Sequence, residues 1–455
     1  MSAHPAIAFL SRHSAAVGES IEVHAAEHGL LAVTVERLGR ERTKVMDAAF
    51  LVARDARPPA GAAGWPVDRP LEWPVAGRIP LDRRFRGGLH VLVASNARGE
   101  ATEQPFVVVD PAPEVLTVLP AMTWHLYNFW GGRSRYYGPE RPFGMSIAAP
   151  VPSHRSFARR LIPRPVRQFI RSRVGGDPLK PAFVTQPLTT RRPFAMRPLG
   201  VSPTEPFCSH LAASDWRLCA WLEREGMTSG FCTERDLPAV LASSRPRAII
   251  LGTHAEYWPR SAFLALEEAH CARGSWLVNL GANAIYEQAE FVTDTETTCM
   301  RSRFRTTVGD EARLTGVRYQ SGGFATAAPF AVVDRRHWIT EGISADGTFG
   351  RDCLVGAAEP PPDGYDPELP AVNGRHVRIE GLGASGWELD RKAARGFRVL
   401  ARGLNPGGGA EMSFREPSGR RGGSFSASSL TFIGSLLVDR GASMVTKRVL
   451  ERATA

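Results

Sequence analysis

Three short apolar runs, each ended by glycine or polar residues, constrain the fold of this chain most: residues 115–120, 248–252 and 276–281. They are too uniformly apolar for exposed edge strands and are typical of parallel strands covered on both faces. Apolar residues at helical spacing in 209–225 and 261–273 predict helices between them. Strand, helix and strand with such short joints predict a doubly wound α/β sheet.

The first 112 residues have a different pattern. Short alternating runs recur at 20–25, 31–36, 89–94 and 105–110, separated by turn-forming residues. This spacing predicts a β-sandwich. The prolines at 111 and 113 then predict a linker, because proline cannot donate to a strand ladder. We therefore expect a β-sandwich domain over 1–112 and an α/β domain over 114–455.

The positive charge of the chain is local. Residues 151–200 contain ten arginines and one lysine against one aspartate, which accounts for the whole formal charge of +10. This predicts a basic insertion within the α/β domain. It either pairs with acidic groups of a neighbouring domain or partner subunit, or binds anions or nucleic acid. We favour the first, because a nucleic-acid-binding protein is more often basic throughout.

Cysteines and apolar segments indicate the cellular setting. The six cysteines are far apart and form no CxxC pair, so we expect reduced thiols in a cytoplasmic protein. We find no apolar run of roughly 18 residues or more, and therefore expect no membrane-spanning helix. The first ten residues do not resemble a signal peptide.

The loop expected after the first apolar run is rich in groups that bind or react. Residues 122–137 include a histidine, three tyrosines, two tryptophans and a Gly-Gly pair. Loops at strand ends carry chemistry that the sheet positions. Tyr127 alone would be interpreted as a core aromatic, but Asn128, Gly131 and Gly132 beside it favour a site.

Polar groups also follow the other two runs. His254 and Glu256 come after 248–252, and Asn283 follows 276–281, so we expect all three at the same sheet edge. Alternatively, His254 is a hydrogen-bonded core residue and Glu256 caps the next helix. Glu388 follows Trp387 and a glycine-rich turn. Desolvation beside an indole raises a carboxyl pKa and suits a general base, although a surface glutamate is the alternative.

In their order along the chain, these clusters resemble the large (beta) subunit of N,N-dimethylformamidase. The resemblance implies an immunoglobulin-like β-sandwich followed by a glutamine-amidotransferase-like doubly wound α/β domain with β-rich insertions. It extends over nearly the whole chain. The segments that carry it are 123–134, 221–226 with Asp236 and Leu237, 252–258, 280–283 and 385–391.

The resemblance also implies a mononuclear iron, expected in the ferric state and held by two tyrosines and a glutamate. Tyr127 and Glu256 match two of these ligands, and Tyr136 is the better-spaced match to the second tyrosine, with Tyr137 as the alternative. Because phenols ionise only near about pH 10, two phenolate ligands require a strongly polarising, hard cation.

Carried over by motif, Glu388 resembles the catalytic carboxylate, and His254 and Asn283 resemble other pocket residues. We therefore expect a metal-dependent hydrolase that cleaves the C–N bond of a small amide, with a formamide-like compound among the substrates. A small partner subunit or a homo-oligomer is expected, without nucleic acid or membrane. The alternative is a non-catalytic ligand- or anion-binding protein on the same fold, which binds through 151–200.

Overall fold

The structure is a computed structural model, and it describes residues 7–56, 68–110, 114–132, 134, 188–195, 199–293, 296–320, 326–355, 368–372 and 375–455. Several predicted features lie outside these residues: the proline linker at 111–113, both Tyr136 and Tyr137, and most of the basic insertion. Within the described residues, no helix combines the length and the apolar character that crossing a membrane requires.

The N-terminal region forms two sheets, one of three strands and one of five. Alternate residues of the fourth strand, such as Leu31, Val33 and Val35, are buried in a core that both sheets share. This sandwich-like arrangement was predicted from the alternating runs. The strands are β1 Ala8–Leu10, β2 Ser14–Ala16, β3 Ser20–Ala25, β4 Gly29–Leu38, β5 Arg42–Val52, β6 Val75–Pro80, β7 Gly88–Asn96 and β8 Ala101–Val109. The order of the strands is β1-β3-β6 in the smaller sheet and β2-β8-β7-β4-β5 in the larger one.

The rest of the chain mixes helices with many short strands. The strands are β9 Val115–Leu119, β10 Leu188–Thr189, β11 Gly230–Thr233, β12 Ala248–Leu251, β13 Tyr257–Trp258, β14 Trp276–Asn279, β15 Glu287–Thr293, β16 Glu296–Arg303, β17 Arg318–Gln320, β18 Ala327–Ala328, β19 Phe330–Val332, β20 Thr348–Phe349, β21 Ala371–Val372, β22 Arg375–His376, β23 Ser385–Gly386, β24 Leu389–Arg391, β25 Arg398–Gly403, β26 Glu411–Arg415 and β27 Ser424–Ser426. The helices are α1 Ala121–Tyr127, α2 Ala212–Arg224, α3 Leu237–Ser243, α4 Arg260–Cys271, α5 Phe304–Thr307, α6 Ala312–Thr315, α7 Phe432–Ser435 and α8 Arg440–Thr454.

The central sheet has the order β11-β9-β12-β14-β27-β26-β25-β19-β20 among the described strands. Its first five strands are parallel, and the remaining four continue it antiparallel. The three apolar runs form β9, β12 and β14, as predicted. Because strand side chains alternate between faces, Ile250 and Val278 pack in one core with α2 and α8, whereas Ile249 and Leu277 pack in another with α3 and α4. Both faces of the sheet are therefore covered.

One local prediction was wrong. Residues 121–127 form helix α1 rather than a loop, because Pro120 ends β9 and all seven residues of this segment are buried, where a helix pairs their backbone polar groups. The C-terminal segment contains two helices, α7 and α8. Asp439 separates them and caps α8, since its side chain accepts a hydrogen bond from the Ala442 N–H at 2.9 Å.

The carboxyl ends of β9, β12 and β14 lie at one edge of the sheet. Gly281 follows β14, and a Cβ atom placed there would lie 1.8 Å from the carbonyl oxygen of Thr253, which follows β12. The two loops therefore touch only because residue 281 is glycine. The Tyr286 N–H also donates to the Glu256 carbonyl at 2.9 Å, so these loops run side by side.

Candidate active site

The phenol of Tyr127 and the carboxylate of Glu256 meet at this edge. Tyr127 is the last residue of α1, Glu256 lies just before β13, and the phenol donates a hydrogen bond to Glu256 Oε2 at 3.1 Å. Both side chains are buried. Two oxygen ligands in cis positions of an octahedral ion lie about 3 Å apart when each metal–oxygen distance is about 2.1 Å. The pair therefore has a spacing at which one cation can contact both oxygens.

His254 lies between two carboxylates. Its Nε2 atom is 3.4 Å from Glu256 Oε2 and 3.3 Å from Glu388 Oε2, and its side chain is fully buried. Burial lowers the pKa of His254, but Glu388 and Glu256 more than offset this, and the pKa lies above its ordinary value. Residues 253 and 254 form a turn, and the side chains of His254 and Glu256 face each other across it.

Glu388 reaches the site from a distant part of the sequence. It lies between β23 and β24, and its carbonyl accepts the Leu430 N–H at 3.3 Å. The preceding Trp387 has a φ of 64°, a left-handed conformation that a bulky side chain rarely adopts. Such strain is concentrated at functional sites, and it is consistent with a turn that must aim Glu388 inward.

The backbone of Asn283 is held by the carboxylate of Asp390. Its N–H donates to both carboxylate oxygens of Asp390, at 3.0 and 3.1 Å, and its φ is 54°. Burial raises the pKa of Asp390 to about 8, although the Asn283 N–H opposes this. The side-chain Oδ1 of Asn283 is buried and accepts no hydrogen bond from the described residues. That oxygen is therefore available to a ligand.

Sequence reasoning missed His210. It precedes α2, and its Nδ1 lies 2.6 Å from His254 Nδ1, so one of the two nitrogens must donate and the other accept. Its ring also meets the edge of Tyr127 and the indole of Trp387, with centroids 4.8 and 4.7 Å away. Its only sequence signal was a histidine just before a helix, which is too weak to link it to His254.

Tyr319 was also missed. It pairs with Asp390 in the β17–β24 ladder, and its ring lies edge-on to Tyr286 at 5.2 Å. Burial raises the pKa of Tyr319, and the charges of Glu388, Tyr286, Glu256 and Asp390 raise it further. Tyr319 therefore borders the site as a protonated phenol.

The donor set fits a hard cation in part. Tyr127 and Glu256 supply two adjacent oxygens. His254 contacts two carboxylates, those of Glu256 and Glu388, but one imidazolium balances the charge of only one of them. A further cation beside these carboxylates would therefore be stabilised. The predicted third ligand, Tyr136 or Tyr137, lies outside the described residues. Within the part of the chain that the structure describes, no three His, Cys, Asp or Glu side chains form a metal-binding group by themselves.

Comparison with known proteins identifies the family. No curated protein matches this chain. The sequence profile of one family, described as N,N-dimethylformamidase beta subunit-like, C-terminal, matches residues 32–444. This match includes all of the side chains that meet at the site, and this family suggests an amide hydrolase. The chain therefore belongs to the N,N-dimethylformamidase beta subunit-like family.

Proposed function

We propose that this protein is a metal-dependent hydrolase that cleaves the C–N bond of a small amide. The observation that carries the proposal is the meeting of four side chains from three distant segments. Tyr127, His254, Glu256 and Glu388 are buried and linked by contacts of 3.1 to 3.4 Å. The family supports the same reaction class.

Tyr127 and Glu256 would hold the metal, which we propose to be iron, with Tyr136 or Tyr137 as the third ligand. When bound, such an ion polarises an amide carbonyl and acidifies water. Phenolate and carboxylate oxygens favour a hard ion of this kind over soft metals.

Glu388 is the general base of the proposed reaction. It would accept the proton of the attacking water, and its contact with His254 Nε2 provides a second group that holds or passes this proton. The Asn283 amide group or His254 would steady the charge that develops on the carbonyl oxygen. The buried Oδ1 of Asn283 would accept a hydrogen bond from the nitrogen of the leaving amine once that nitrogen is protonated.

The finer architecture is part of the proposal. We propose a division into an immunoglobulin-like domain over 1–112 and a glutamine-amidotransferase-like domain over 114–455. The order of the five parallel strands and the helices on both sheet faces support it. A small partner subunit or a second copy of the chain would complete the assembly, as the words "beta subunit-like" suggest.

The proposal is tested on purified protein by metal analysis, visible absorption and release of amine from small amides, beginning with N,N-dimethylformamide. We expect bound iron with an absorption band from phenolate ligands and measurable hydrolysis. Glu256→Gln should lose most of the iron, whereas Glu451→Gln, an exposed glutamate of α8, should retain it. A wild-type protein with neither metal nor amide hydrolysis would refute the proposal and favour the anion-binding alternative.

A further inference from the structure

A buried carboxylate connects the two segments that carry Tyr127 and Glu256. Asp215 lies in the first turn of α2 and is fully buried. Its Oδ1 accepts the Thr253 N–H at 2.8 Å, and its Oδ2 accepts the Trp124 indole N–H at 3.0 Å. One side chain therefore binds both α1 and the loop after β12.

The two residues that donate to Asp215 each lie three positions before a proposed metal ligand. Trp124 is three residues before Tyr127, and Thr253 is three residues before Glu256. Helix α1 has only seven residues and no side-chain cap, so tertiary contacts must hold it in place. Besides the Tyr127–Glu256 hydrogen bond of the site itself, at 3.1 Å, a hydrogen bond from the Tyr257 N–H to Thr123 Oγ1 joins these segments, and it is long at 3.4 Å. Both hydrogen bonds of Asp215 are shorter, so Asp215 is a strong polar connection between the two segments.

The Asp215 carboxylate packs closely against the backbone of residue 252. A Cβ atom at residue 252 would lie 2.6 Å from Asp215 Oδ1 and 2.9 Å from Pro120 Cδ. Gly252 therefore lets the carboxylate approach the Thr253 N–H. Burial raises the pKa of Asp215 to about 7, and its two N–H donors oppose that rise. Both donors stabilise the ionised carboxylate, which can accept from both of them.

We propose that Asp215 is a positioning residue that sets the separation of the Tyr127 phenol and the Glu256 carboxylate, and through it the affinity of the site for its metal. This inference rests on the proposed function. It assigns the role to a side chain that does not touch the metal or substrate itself. The groups behind metal ligands typically change metal affinity about 10- to 100-fold when they are removed.

The experiment compares metal affinity in Asp215→Asn and Trp124→Phe. An asparagine has one acceptor oxygen and must turn its NH₂ toward one of the two N–H donors, so it keeps one hydrogen bond at most. Trp124→Phe removes the indole donor and leaves Asp215 intact. The controls are Asp236→Asn and Trp221→Phe. In the wild type, the Asp236 carboxylate accepts two hydrogen bonds from Thr233, and the Trp221 indole donates to Ser443 Oγ at 2.8 Å.

We expect Asp215→Asn to weaken iron binding at least about tenfold in a chelator competition and to shift the phenolate absorption band. Trp124→Phe should act in the same direction, and both controls should bind iron like the wild type. If Asp215→Asn does not fold, Trp124→Phe decides. Wild-type affinity in a folded Asp215→Asn or Trp124→Phe protein overturns the inference, while the proposed function stands.

If the wild type binds no metal, the proposed function fails and the positioning role is decided by crystal structures. In the metal-free Asp215→Asn variant, the Tyr127 phenol and Glu256 Oε2 should then lie further apart than 3.1 Å. An unchanged separation would show that Asp215 does not set it.

Discussion

The substitution Gly281→Ala tests whether the contact between the β12 and β14 loops positions the site. The added methyl group would lie 1.8 Å from the Thr253 carbonyl oxygen, whereas real Cβ contacts are essentially never below 3.0 Å. The loops must therefore separate by about 1.2 Å, the difference between these two distances. The atom in the way belongs to the backbone, so no side-chain rotation relieves the overlap. His254 follows Thr253 directly, and the site would move with it.

Overpacking of this kind costs about 1–3 kcal/mol, and a displacement of about 1 Å in a catalytic group can reduce activity about 100-fold. We expect Gly281→Ala to lower the melting temperature and to reduce kcat/KM for amide hydrolysis by that factor. Gly309→Ala is the matched control, because its new methyl group meets only the flexible end of the Arg313 side chain. Wild-type activity and melting temperature in Gly281→Ala would refute the argument.

Three further predictions follow from the same structure. Glu388→Gln should retain the metal but lose about 10²- to 10⁴-fold in kcat, measured as amine release; an equal loss of metal would make Glu388 a ligand instead. Tyr319→Phe should leave metal content unchanged, since its phenol is protonated; loss of metal would contradict this. The third concerns His90, whose pKa burial lowers to about 3, below its value of about 6.5 in the unfolded chain. At pH 5 the unfolded chain binds this proton and the folded chain does not, so His90 contributes about 2 kcal/mol less to the free energy of unfolding at pH 5 than above pH 6.5. In urea unfolding, the loss of unfolding free energy between pH 6.5 and pH 5 should be about 2 kcal/mol smaller in His90→Phe than in the wild type and in Phe106→Leu, because other buried histidines such as His13 and His270 keep their own share of the loss; parallel pH profiles for all three proteins would refute it.

The local signals in the chain were sufficient for the sheet and for part of the site. Apolar runs predicted β9, β12 and β14, because a strand that is buried on both faces has apolar residues at every position rather than at alternate ones. The strand ends then directed attention to Tyr127, His254 and Glu256, which the structure brings together. Glu388 was noticed because Trp387 and a glycine-rich turn precede it, but only the resemblance to a known family favoured a catalytic role over an ordinary surface glutamate.

Other site residues had no such signal. His210 lies just before a helix, Asp215 within that helix and Tyr319 in a short strand, and their roles depend on partners far along the chain. Helix α1 was missed for a related reason. Its aromatic and polar composition is typical of a loop, and its helical form depends on burial against the rest of the protein.

The sequence by itself determined which segments are buried strands and which polar groups follow them, because hydrophobic periodicity acts over a few neighbouring residues. Only the tertiary structure decided which of these groups touch. The Tyr127–Glu256 hydrogen bond joins residues 129 positions apart, and the Asp215–Thr253 bond joins residues 38 positions apart. Such pairings depend on the order of the strands and on close contacts between loops at glycines. The site residues therefore come together only when the central sheet has formed.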